Sequence, residues 1–168
     1  NGAASGVDES TLSGTMTHEF GHFLNLAHTQ LNWQQLTDET VLPTMFPFLG
    51  AHPLELLTLE KDDEFSLGYL YPHPTNYAAR GSIAGKIVRR NGSGVRGVNV
   101  TCRSQAAPQK DAVSWVSDQV LAGEGEYLCG NLDAGSYTVE IEPVVTAINI
   151  FDPDPPLVAT EFYSGAAE

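Results

Sequence analysis

The apolar residues of this chain follow two rhythms. In the first stretch Leu12, Met16, Phe20 and Phe23, continued by Leu24 or Ala27, recur three to four positions apart, which is the spacing of one face of an α-helix. Asp8 or Ser10 is placed to cap that helix, and Glu9 lies near the positive end of its dipole. The stripe is expected to be core, with His18 and His22 flanking it. Gly14 and Gly21 interrupt the helix at roughly 1 kcal/mol each relative to alanine, which predicts close packing against those turns. Residues 29–42 are mostly polar and without period, and read as a loop with at most one short turn. A second helix is expected over 59–71, capped by Thr58, loaded with negative charge early on by Glu60, Asp62 and Asp63, and stopped by Pro72. Residues 72–80 read as a linker, because the prolines on either side of His73 disfavour helix and strand alike.

Beyond the linker the period becomes two. Strands are expected at 82–89 and 96–103, flanking the turn Asn91-Gly92-Ser93-Gly94, and again near 113–120 and 126–129. Tyr137, Val139 and Ile141 alternate with Thr138, Glu140 and Glu142 in a further strand. Val98, Val100 and Cys102 face one way, and Asn99 and Thr101 face the other, outward. The fold class that follows is α+β, with a helical portion over 1–77 joined to a small antiparallel β-sandwich over 78–168.

Composition narrows the range of partners. With 17% charged and 42% apolar residues and only short apolar runs, the chain reads as a globular protein with no membrane span. A net charge of -13 and eight scattered basic residues argue against nucleic acid, which needs a basic stripe along its phosphates. The chain opens on the polar lead Asn1-Gly2-Ala3-Ala4-Ser5-Gly6 without a signal peptide. Cys102 and Cys129 suit one disulfide, although two thiols would look the same, and a secreted or cell-surface setting is the preferred expectation. Asn91 and Asn99 each begin a glycosylation sequon, with Asn99 expected to face outward. Asp152 and Asp154, beside prolines, read as an exposed loop to which no metal is assigned.

The candidate chemistry lies in His18-Glu19-Phe20-Gly21-His22-Phe23-Leu24-Asn25-Leu26-Ala27-His28. Two histidines four apart stand one above the other on a helix face, so both imidazoles reach one metal ion with Glu19 beside them. His28 comes six residues later and reaches the same ion only if the chain turns sharply, for which Asn25 is placed. Three histidines leave a fourth position open to water, the arrangement of a catalytic zinc. His52 and His73, each in a proline-flanked loop, are taken as non-ligands.

This stretch resembles the zinc-binding consensus of the metzincin metalloproteases, and is especially similar to the matrixin branch, except that Asn25 stands where the family has glycine. The left-handed conformation that such a bend requires is tolerated by asparagine better than by other non-glycine residues. The resemblance implies a zinc endopeptidase with His18, His22 and His28 as metal ligands and Glu19 as general base, acting on a protein or peptide substrate. It implies that Met45, after Pro43, is the Met-turn residue forming an apolar floor beneath the ligands, and that Asp62 and Asp63 tie the second helix to that turn. The expected fold is then the helical C-terminal portion of a zincin catalytic domain. In that family a sheet with a substrate-pairing edge strand precedes the zinc helix, and here only seventeen residues precede His18, so either that upstream portion is a separate or cleaved segment that acts as a partner, or the chain is a fragment that keeps the ligands without a full substrate cleft.

The glycines and alternating residues around Gly85, Gly94, Gly97, Gly125 and Gly135 resemble the carboxypeptidase regulatory-like, transthyretin-like accessory domains. In this register Cys129 shares a face with Tyr127 and can meet Cys102 inside the sandwich, where a bridge would contribute roughly 3 kcal/mol. Two rival readings remain: a non-enzymatic surface or adhesion module that keeps a metal-stabilised remnant, and a structural zinc domain, which would need a fourth protein ligand. Glu19 speaks against the first, because a structural zinc has no use for a base beside its first ligand.

Overall fold

A computed structural model describes residues 9–33, 39–48, 57–73, 79–118, 124–145 and 161–163 of the chain, with residues 39 and 161–163 as backbone. They form a mixed α+β structure of α1 (Glu9–Phe23), a short 3-10 turn (Glu39–Val41), α2 (Lys61–Leu70) and the strands β1 (Gly81–Lys86), β2 (Val98–Ser104), β3 (Ala112–Val116), β4 (Glu126–Leu132), β5 (Tyr137–Pro143) and β6 (Glu161–Tyr163). No described helix is long and apolar enough to cross a membrane. The cap expected at Asp8, His52 and the Asp152–Asp154 pair lie outside the described residues.

Helix α1 has the expected span, but its apolar stripe is not core. Leu12, Met16, Phe20 and Phe23 are 56, 60, 59 and 79% exposed, and the buried residues of the helix are Gly14 and Gly21. The stripe has the right period, but a period shows only that the residues share a face. What covers that face is decided elsewhere, and nothing among the described residues does so.

Helix α2 is the opposite case. It begins two residues later than the sequence pattern suggested: Glu60 rather than Thr58 is the N-cap, and the Asp63 carboxylate accepts from the Glu60 N–H at 3.1 Å in a capping-box arrangement. The Thr58 hydroxyl instead donates to Glu60 Oε1. Pro72 follows the last turn, as expected. One side of α2 faces the sandwich, where Phe65 is buried among Cys102, Val113, Trp115, Cys129 and Leu132. A Cβ at Gly130 on β4 would run into the Phe65 ring, so glycine is what lets the helix approach that strand. Lys61 extends the contact through ion pairs with Asp111 (2.7 Å) and Asp133 (2.6 Å).

The strands form two antiparallel sheets, β1-β4 and β3-β2-β5-β6. The turn at Asn91–Gly94 forms: Arg89 N–H donates to Ser93 O, Asn91 Oδ1 accepts from Ser93 N–H, and Val88 bridges Gly94. It does not join two partners, because β1 pairs with β4 while β2 lies in the other sheet between β3 and β5. Local turn chemistry fixed the reversal, and long-range pairing fixed the partners. Cys102 and Cys129, from opposite sheets, meet in the core as free thiols, both fully buried, and burial and the neighbouring Cys102 push the Cys129 thiol well up.

All seven residues of β2 are buried. Val98, Val100 and Cys102 do face the core, but Asn99 and Thr101, expected outward, are only 1 and 0% exposed. The segment that follows His28 lies over that face. Asn99 is therefore closed to glycosylation in the folded chain.

Candidate metal centre

The end of α1 is built by hydrogen bonds that close a Schellman cap. Asn25 adopts φ 68, its N–H donates to His22 O, and the Leu26 N–H reaches back to Gly21 O at 3.0 Å. The left-handed residue turns the chain out of the helix at once, so that six residues after His22 it brings His28 alongside the other two. The nitrogens offered by His18, His22 and His28 all lie within 4.8 Å of one another, close enough to bind a metal ion. His22 Nε2 and His28 Nε2 are 3.1 Å apart, near the roughly 3.3 Å edge of a tetrahedron built on metal–nitrogen bonds of about 2.0 Å.

Tautomers support the same geometry. His18 Nδ1 lies 2.7 Å from Thr44 O and His22 Nδ1 lies 2.9 Å from Leu26 O, and since a carbonyl only accepts, each ring carries its hydrogen on Nδ1. Both Nε2 lone pairs are therefore free to point at a common centre. His28 is lowered from its ordinary value, first by desolvation and then by its electrostatic interaction with His22 and His18, while Glu19 opposes the drop. The neutral, ligating form is thus the favoured one. Glu19 itself is exposed.

Beneath the histidines, Met45 is 3% exposed, and its sulfur lies so close to Gly21 that a Cβ there would collide with it. The glycine between the two helical histidines admits the methionine. The turn carrying Met45 is gripped by two carboxylates: Thr44 N–H donates to Glu60 Oε2 and to Asp63 Oδ2, both at 2.9 Å, and Met45 N–H donates to Asp63 Oδ1 at 3.1 Å. Burial, then the charge of Asp63, pushes Glu60 up to about 8, and Asp63 is also raised by burial. Burial and the mutual repulsion of the two carboxylates thus both favour the protonated form of Glu60.

Asp62 and Asp63 diverge. Asp63 holds the Thr44–Met45 turn, whereas Asp62 turns the other way, accepting from Thr29 Oγ1 (2.5 Å) and from the Ser114 backbone N–H on β3 (2.6 Å). Asp62 is 4% exposed, and burial pushes it up to about 6 despite those bonds. A cavity of about 460 Å³ opens here, with Leu26, His28, Met45, Asp62, Tyr69 and Trp115 in its walls. Glu60 and the Ser114 contact were not foreseen as parts of the site. The capping-box spacing from Glu60 to Asp63 was the available signal for the first, and for the second there was none.

Comparison with known protein families, with characterised proteins and with solved structures finds no match for this chain.

Proposed function

We propose that this chain carries the metal-binding portion of a zinc-dependent endopeptidase, matrixin-like within the metzincins, followed by a carboxypeptidase regulatory-like β-sandwich, with His18, His22 and His28 as the zinc ligands. The observation that carries this reading is the convergence of three imidazole nitrogens beside a carboxylate, Glu19, that no structural site requires. An all-nitrogen set of three suits zinc and leaves a position open to water. When bound, zinc supplies Lewis acidity and lowers the pKa of its water toward ~7. The chain's own residues would do the rest: Glu19 would serve as the base that accepts a proton and delivers it to the leaving amine, while Met45 and the carbonyls of Thr44 and Leu26 would keep the imidazoles in register. The substrate is a protein or peptide, and the setting is secreted or cell-surface.

The exposed face of α1 favours a qualification of this reading. Four large apolar side chains on the ligand helix suit burial under another polypeptide portion, which would complete the substrate cleft. The test is metal analysis together with hydrolysis of an unfolded protein by wild type and Glu19→Gln. Zinc bound by both, with the variant slower by about 10²- to 10⁴-fold, is the expected result. Equal rates would sink Glu19 as the base, and bound zinc with no turnover by either would select the non-catalytic module or fragment.

A further inference from the structure

We infer that the outer face of the β3-β2-β5 sheet is the scaffold of the third metal ligand, with Thr29 as the positioning residue through which the sheet sets His28. The inference rests on the metal centre proposed above. His18 and His22 are spaced by helix geometry, but His28 stands on a segment outside any helix or strand, immediately after the Asn25 bend, with Asn25 and Ala27 exposed. Leu26 is tied back to Gly21 and His22, and beyond it the place of His28 is set by what grips the residues that follow.

Those residues are gripped one after another. The Thr29 N–H donates to Met45 O at 3.0 Å, and its hydroxyl donates to Asp62 Oδ2 at 2.5 Å while accepting from the Leu31 N–H at 3.0 Å. Asp62 is fixed in turn by the Ser114 backbone N–H at 2.6 Å, so β3 reaches the residue next to His28 through a single carboxylate. Gln30 accepts from Val145 N–H at 2.8 Å, just beyond β5. Asn32, at φ 62, accepts from the Arg103 guanidinium on β2 at 2.7 Å and donates to Val41 O and Gln109 O. Arg103 is 7% exposed and is held from its other side by Glu140 on β5 at 2.9 Å. The β2–β3 register sets Thr101 opposite Ser114, and Asn99, Thr101, Arg103 and Ser114 make up the polar face on which the segment rests. The sandwich therefore belongs to the metal centre rather than trailing behind it.

The test uses the full chain and three variants: Thr29→Val, which keeps the volume and removes the hydroxyl; Thr29→Ser, which restores it; and Asn32→Gly, which removes the Arg103 contact while tolerating the positive φ. Zinc affinity is read by competition with a chelator, geometry by the visible absorption of the cobalt-substituted protein, and folding by thermal unfolding of the metal-free form. Thr29→Val is expected to weaken zinc about tenfold and to change the cobalt spectrum, Thr29→Ser to return both to wild type, and Asn32→Gly to weaken zinc in the same direction. Wild-type affinity and spectrum in Thr29→Val overturn the inference, as does a loss of affinity that only tracks loss of folding. Should Thr29→Val fail to fold, unchanged zinc affinity in Asn32→Gly overturns it alone. A wild-type chain that takes up no metal overturns the centre itself, and this inference with it.

Discussion

The two helices of this protein are positioned by opposite means. Helix α1 supplies two histidines and presents its large apolar side chains to solvent, touching the rest of the site through Gly21, its C-terminal cap and the His18 imidazole. Helix α2 supplies no metal ligand, yet it buries two aspartates at 4 and 2% exposure and a phenylalanine at 4%. Asp63 and Glu60 reach toward the Met45 turn, Asp62 toward Thr29 and β3, and Phe65 into the sandwich core. The helix that carries two of the clustered histidines is held lightly, and the helix that carries none of them is the hub. A metal site needs ligands fixed to within a fraction of an ångström, and rigid support with satisfied hydrogen bonds supplies that better than the ligand helix could alone.

Matched aromatic truncations probe this contrast most directly. Phe65→Ala removes a buried ring from the core shared by α2 and both sheets and should cost about 3–5 kcal/mol in denaturant unfolding. A cost below about 1 kcal/mol would mean that α2 is not anchored there.

Acidity gives the next effect. Asp62 holds its proton up to about pH 6 in the fold, against about 3.9 in an unfolded chain, so the folded state binds more protons across that window. The stabilisation from this proton is complete below the unfolded value and is lost as pH rises through about 6. Metal-free wild type should therefore gain about 1 kcal/mol, relative to Asp62→Asn, on going from pH 7 to pH 5. Parallel pH profiles for the two proteins would contradict the rise that burial imposes on this carboxylate.

The smallest effect belongs to the other helix. Phe23→Ala, at a position 79% exposed and stacked on Phe20, should change stability by no more than about 0.5 kcal/mol. A loss of 2 kcal/mol or more in the same denaturant series would show that the stripe is covered in solution, and the contrast between the helices would collapse.

What the sequence disclosed follows from short-range physics. Three-to-four spacing gave α1, a proline gave the end of α2, alternation gave the strands, and the Asn91–Gly94 turn was recognisable from its own residues. The bend at Asn25 was legible because few residue types accept its backbone angles. By contrast, the alternation of β2 told which residues share a face, and it was correct, but it could not tell that Asn99, Thr101 and Arg103 lie under residues 29–33. Polar residues on an outward face look alike whether water or a hydrogen-bonded segment covers them.

The sequence by itself thus determined the local shapes and the set of three histidines that converge, because spacing, caps and turns act within a few residues along the chain. Tertiary structure decided which sheet each strand joined, that Asp62 and Asp63 face opposite ways, and that the apolar stripe of α1 stays open while a polar sheet face is closed. Those outcomes depend on contacts between residues up to 115 positions apart, such as Gln30 and Val145, and no local pattern encodes what will arrive from that distance.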